Sequence, residues 1–407
     1  MSPTLKRILL GILLLLVAGL IAYGLYYILT RPAPFGQVPV SPSPTTTGQL
    51  PGAGTRPATT TGAGQQPTGI LPPGGIIQPT APGYYKPAAV TQVSTDYATY
   101  PSLNTGGNFR YYNASDGKFY QVMPDGQIKS LSDQVFYSAS NVTWAPNKNE
   151  AVIEYPDNSK IVYNFDTKTQ ISLPQHWQEF TFSPDGSQIA AKSMGLSPES
   201  RFLVTVNDDG TGAKIIEPMG DNADKVIMDW SPSKQVVAFS QTGEPQGAER
   251  EEELFVGLNG ENFKSTIVEG QDFLPKWSPT GKQLLYSVDS SRSDYKPELW
   301  IVNSYGDAIG SGRQMLNLDT WADKCSFGDE NTLFCAVPKE LDEGAGMDRE
   351  VASGATDDLY KIDLKTGLKT PISLDGDYNI TNISYDKTNN TVMFTDLNQT
   401  GVFQSKL

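Results

Sequence analysis

Hydrophobic and polar residues follow three successive patterns along the chain. Residues Ile8 to Leu29 form an unbroken run of 22 uncharged, almost wholly apolar residues, ILLGILLLLVAGLIAYGLYYIL. As a helix this run would be about 33 Å long, enough to cross a hydrocarbon core of about 30 Å. From Arg31 to about Ala88 the sequence is mostly Pro, Gly, Thr, Ser and Gln, with no acidic residue. Such a segment cannot bury enough apolar surface to offset its ordering entropy, and it is expected to be a disordered linker. Its 58 residues give a flexible span of roughly 40–45 Å. Thereafter short runs alternate apolar and polar residues between Asp-Gly, Asn-Gly and Lys-Thr-Gly turns, the pattern of half-buried strands joined as hairpins. The expected organisation is residues 1–30 as cytoplasmic N-terminus and transmembrane anchor, 31–87 as linker and 88–407 as the folded domain.

The alternating region repeats itself. An aromatic or apolar anchor, a Ser-Pro or similar turn and an alternating apolar run recur as WAPNKNEAVIEY from Trp144, FSPDGSQIAAKS from Phe182, WSPSKQVVAFSQ from Trp230 and WSPTGKQLLYSV from Trp277. Weaker copies start at Cys325 and Ile383, and the anchors are 38 to 58 residues apart. A second hairpin follows each copy, such as KIVYNFDTKTQISL or DLYKIDLKTGLKTPISL. Two hairpins make a four-stranded antiparallel unit that cannot cover its own faces, so the units must stack as the blades of an all-β propeller. The segment from Asn108 reads as an earlier blade, with an innermost strand near Tyr100 to Asn104. The last copy ends one strand short, and Ala88 to Thr95 (AAVTQVST) is the candidate to supply it. The count comes to seven blades, with six and eight as the alternatives.

The FSPDGSQIA and WSPTGKQLL copies resemble the TolB-like, WD40-like (PD40) propeller repeat of bacterial envelope proteins, over about residues 100–407. The resemblance implies a propeller that binds proteins in the cell envelope. TolB itself is a soluble periplasmic protein with a separate N-terminal domain. Here an apolar span and a linker stand in that place, so a TolB-specific role is not implied.

Charge sharpens this picture. The chain carries 45 acidic and 31 basic residues, a net charge of -14. Five of the basic residues lie within positions 1–88, which leaves 26 basic against 45 acidic, or -19, on the strand region. That sign excludes a nucleic-acid backbone as partner and favours basic ones. Lys6 and Arg7 precede the apolar run while only Arg31 follows it closely, which orients the N-terminus to the cytoplasm and the propeller outside it. A cleaved signal peptide is the alternative, but its apolar region would be about 7–15 residues and end at a small-residue cleavage site.

Catalytic chemistry has little to draw on. With one His and two Cys, neither a multi-histidine metal centre nor a zinc-thiolate cluster can be built. His176 has no G-x-S-x-G nucleophile motif to accompany it. NDDGTG at Asn207 to Gly212 lacks the spacing and closing Glu of an EF-hand and reads as a hairpin turn, as does GSG at Gly310 to Gly312. The reading is non-catalytic, with no cofactor and no metal. Cys325 and Cys335 fall on opposite arms of one predicted hairpin and are a disulfide candidate, two separately buried thiols being the alternative.

A binding surface is easier to place. The loops between second and third strands are expected to lengthen in four consecutive blades, as SMGLSPESR, QTGEPQGAEREEE, VDSSRSDYKP and PKELDEGAGMDREVASGATDD. Long loops gathered on one face of a rigid ring commonly carry binding. Two of them are acidic, through Glu251, Glu252 and Glu253 in one and Asp342, Glu343 and Asp348 in the other. They suggest an electronegative wall for a basic segment of an envelope protein. Aromatics just ahead of the anchors (Tyr137, Trp177, Phe273, Trp321 and Tyr378) are expected to ring the channel mouth on the same face. There they would grip a peptide or stack on a cell-wall or surface glycan, the alternative being inter-blade core packing.

Overall fold

The computed structural model describes residues 87–407 apart from Asn262. The apolar span and nearly all of the linker lie outside the described residues. Among the described residues no helix is long and apolar enough to cross a membrane.

Seven four-stranded antiparallel sheets form a β-propeller. The innermost (a) strands of blades 1 to 7 are Ala98–Leu103, Asn141–Trp144, Trp177–Phe182, Val226–Met228, Gln271–Trp277, Cys325–Asp329 and Ile380–Asp386. Strands b, c and d follow outward in chain order in blades 1 to 6. Blade 7 takes its outermost strand from the start of the domain: Val90–Ser94 pairs with Val402–Lys406, as the sequence had suggested for residues 88–95. Gly401 lets this closure happen, because its backbone has φ +127° and a Cβ there would lie 2.2 Å from the Ser94 carbonyl oxygen.

The core sits between blades. In strand b of blade 2 (Glu150–Glu154), Ala151 and Ile153 pack with Tyr112, Phe119 and Phe136 of the blade 1 side. Val152 turns the other way, onto Trp177, Phe180 and Ile189 of blade 3. Strand alternation thus covers both sheet faces with neighbours, and each fully buried aliphatic side chain contributes about 1.5–3 kcal/mol. The anchors Trp144 and Trp277 end their a strands and stitch blades 2 and 5 to the blade before. Trp144 Nε1 donates to the Tyr100 carbonyl of blade 1 (2.8 Å), and Trp277 Nε1 donates to the Asp229 carbonyl beside blade 4 (3.3 Å). Arg110, with no exposed surface, lies over the Trp144 ring at 4.6 Å and donates to the Ala145 carbonyl. Cys325 and Cys335 stand opposite each other across the first hairpin of blade 6 and are joined by a disulfide.

Candidate binding face

Because every strand a starts, and every strand b ends, at the same side of the ring, the d–a connections and the b–c loops share one face. The b–c loops are short in blades 1 and 2, where residues 114–117 and 155–159 suffice, and in blade 7. They lengthen through blades 3 to 6 and are longest in blade 6, between Pro338 and Asp357.

These long loops are tied to one another. Glu249 of blade 4 accepts from Ser291 N (3.2 Å), Ser291 Oγ (2.5 Å) and Tyr295 OH (3.1 Å) of blade 5. Gly344 N donates to Asp294 O (2.9 Å), and Gly346 N donates to Tyr295 O (2.7 Å), joining blade 6 to blade 5. A Cβ on Gly346 would come within 2.4 Å of Asp289 Cβ, so only glycine permits this approach. Asp289 is buried beneath it, and burial pushes its carboxyl up to about 6. Asn379 Nδ2 then donates to Ser353 O (2.9 Å), joining blade 7 to the blade 6 loop.

Apolar side chains stand out on this face. Tyr97, Tyr137, Leu196, Met347, Val351 and Leu397 are all large, exposed and located in its connections or loops. Between them, where blades 6 and 7 meet, Trp321 is held under two cations. Arg349 lies 4.8 Å above its ring and makes paired hydrogen bonds to Asp323 (2.7 and 2.9 Å), and Lys324 Nζ is 5.9 Å from the same ring. Lys324 forms a buried ion pair with Asp357 (2.7 and 2.9 Å), whose other role is to accept from Ile380 N of blade 7 (2.6 Å). Burial pushes the Asp357 carboxyl up, with Lys324 opposing.

The structure corrects several sequence expectations. The aromatics do not form an open ring at the channel mouth. Trp177 packs in the blade 2–blade 3 core, and Phe273 packs against Phe239 and Tyr286 at 5.5 Å each. Trp321 is 6% exposed beneath its cations, and Tyr378 is half-buried against Phe394 and Phe403. Tyr137 alone of these five is open, at 75% exposure. The d–a positions flank strand starts, where side chains turn toward the neighbouring blade. Glu251, Glu252 and Glu253 likewise are not loop residues: they begin strand c of blade 4 and pair with Val268, Ile267 and Thr266. Glu251 and Glu253 share one face of the strand, but Glu251 at its start is exposed and Glu253, two residues further in, is completely buried. Neither Glu253 carboxylate oxygen has a hydrogen-bond partner, and burial pushes the group up to about 7, with the nearby Gln241 amide opposing. Asp342, Glu343 and Asp348 are exposed in the blade 6 loop, and Asp348 caps a short turn by accepting from Glu350 N. His176 is exposed in an inter-blade connection. Among the described residues no group of three or more His, Cys, Asp and Glu side chains has metal-binding geometry.

Arg349, Lys324 and Leu397 were not singled out from sequence. A lone leucine in the polar turn TDLNQTG, and the cluster WADK ahead of Cys325, were the available signals.

The fold and its loop-bearing face define the class as a seven-bladed β-propeller. No family model matches the chain, and no curated protein does. Among solved structures, the chain is similar to the Cps50 (Swd1) β-propeller domain of Myceliophteria thermophila, with a TM-score of 0.52 and 11% identity over 78% of this chain and 99% of that one. It is similar to an oligogalacturonate lyase solved with manganese, with a TM-score of 0.51 and 13% identity over 78% and 93% of the two chains. TolB from Acinetobacter baumannii also matches, at a TM-score of 0.42 and 14% identity over 66% and 64%. At these identities the likeness is one of fold.

Proposed function

We propose that this chain is a membrane-anchored, extracytoplasmic propeller that works as a non-catalytic protein-interaction module through its long-loop face. The observation that carries the reading is the gathering of Tyr97, Tyr137, Leu196, Met347, Val351 and Leu397, all exposed, on the face whose loops are hydrogen-bonded into one another. Exposed apolar groups among polar ones on a rigid support are the usual make-up of a protein-binding surface. The exposed carboxylates of the blade 6 loop add a preference for basic partners and faster encounter with them. The disulfide between Cys325 and Cys335 suits an oxidising compartment, in keeping with a propeller held outside the cytoplasm by the Ile8–Leu29 span. The linker would then set the height of the binding face above the membrane.

Affinity capture with the full-length protein tests this reading. Replacing residues 340–355 by a short Gly-Ser turn is expected to abolish capture of the partner retained by the parent protein. Undiminished capture would sink the loop-face reading. Membrane attachment is tested separately, by resistance to alkaline extraction that is lost when residues 1–30 are removed.

A further inference from the structure

Two clefts adjoin on the long-loop face where blade 7 meets its neighbours. One, of about 540 Å³, lies toward blade 6 and is lined in part by Trp321, Arg349, Glu350 and Ile380. The other, of about 460 Å³, lies toward blade 1 and is lined in part by Tyr97, Tyr100, Pro101 and Asp396. Thr381 and Leu397 line both, so the two form one trough with the exposed Leu397 side chain as a low ridge.

The chemistry of the trough is set by what is already paired in it. Lys324 is neutralised by Asp357 and Arg349 by Asp323. Glu350 and Asp396 have no ion-pair partner among the described residues, so each cleft keeps one uncompensated carboxylate. Asp396 is held in place by accepting from Asn379 N (2.6 Å), Asn398 N and Gln399 N (2.8 Å each). Between the clefts, the strand register skips from Ile380 to Asn382, which leaves Thr381 as an extra residue at a bulge, outside the ladder pairing. The trough therefore presents apolar side chains (Trp321, Ile380, Leu397, Tyr97 and Pro101) set among polar ones, a negative charge in each half and a strand residue free of sheet pairing.

We infer that this trough takes an extended segment of a partner protein in which apolar side chains alternate with Lys or Arg. The inference rests on the protein-interaction reading above and narrows it to one site and one ligand chemistry. In an extended segment, residues i and i+2 are about 6.5–7 Å apart and point to one side, which seats two apolar side chains on either side of the Leu397 ridge. The intervening Lys or Arg side chains point away from the clefts, and their long flexible stems fold back over the rim to Glu350 and Asp396. Unpaired carboxylates at this rim favour approach of a basic segment and repel an acidic one.

Fluorescence anisotropy with the full-length protein and three labelled octapeptides tests this: alternating Val and Lys, alternating Val and Glu, and alternating Ser and Lys. The Val-Lys peptide is expected to bind at least tenfold more tightly than either of the others. Leu397→Ser and Glu350→Lys should each weaken it tenfold or more, while Tyr305→Ser on the opposite face should leave it unchanged. Far-ultraviolet circular dichroism confirms that each variant is folded, and Leu397 and Glu350 are surface side chains. Equal binding of the Val-Lys and Ser-Lys peptides, or indifference to Leu397→Ser, would overturn the trough. Loss on Glu244→Lys in the blade 4 loop, with Leu397→Ser silent, would overturn it while leaving the loop-face reading intact. Binding of labelled cell-wall glycan fragments, with none of the peptides bound, would replace the segment with a glycan and overturn both.

Discussion

Glu253 offers a sharp test of the blade 4–blade 5 packing. Its side chain has no exposed surface, neither carboxylate oxygen has a hydrogen-bond partner, and Thr266 Oγ1 across the strand pair is also unpartnered. Burial raises the group from an ordinary 4.5 to about 7. Between those values the folded state holds a proton that the unfolded chain has released, so stability is highest below about 4.5 and falls as pH rises through 7. At 1.36 kcal/mol per pH unit the loss from this one group is on the order of 3 kcal/mol. Asp229 and Glu150 are also pushed up to about 7, chiefly by burial, and tilt the profile the same way. Glu253→Gln keeps the shape and removes the charge. Urea unfolding of both proteins at pH 5, 6, 7 and 8 should show the parent losing stability with pH. The variant should lose less, the gap between the two widening by on the order of 3 kcal/mol from pH 5 to pH 8. Parallel profiles would refute the reasoning, because they would mean that Glu253 titrates alike in the folded and unfolded chain.

Other expectations follow from named contacts. Lys324→Met should destabilise by about 3–5 kcal/mol in urea unfolding by leaving the Asp357 carboxylate buried without its cation, and adding Asp357→Leu should recover most of the loss. Replacing Cys325 and Cys335 together by Ala should cost about 2–3 kcal/mol, and the parent protein unfolded without reductant should show no maleimide-reactive thiol. Gly401→Val, which drives a side chain toward Ser94 at the ring closure, should cost about 1–3 kcal/mol and speed proteolytic release of the segment around Val90–Ser94.

Much of the fold was legible because each repeat wrote its own boundaries. Trp144, Phe182 and Trp277 end their a strands, and the Ser-Pro turn and alternating b strand follow in the order the sequence implied. The outer strand of blade 7 was legible because the last copy showed only three strands, and the short Val- and Thr-containing segment near Val90 belonged to no other unit. The candidate site was harder to read. One residue of strand register decides whether a side chain faces a neighbouring blade or solvent, and nothing local to Trp177 or Phe273 fixes that register. The acidic run at Glu251 looked like loop because it is charged, yet pairing with Thr266–Val268 extends strand c through it and carries Glu253 inside. The trough depends on blades 6, 7 and 1 meeting, so Trp321, Arg349, Leu397 and Tyr97 come together only after the ring closes.

Site-specific photocrosslinking in the cells that make the protein tests the central claim most directly. A photoreactive side chain would replace Leu397 or Met347 on the long-loop face, or Tyr305 or Ile215 on the remaining surface. Protein adducts at Leu397 and Met347, absent at Tyr305 and Ile215, are the expected result. Adducts confined to Tyr305 or Ile215 would contradict the assignment of binding to the long-loop face.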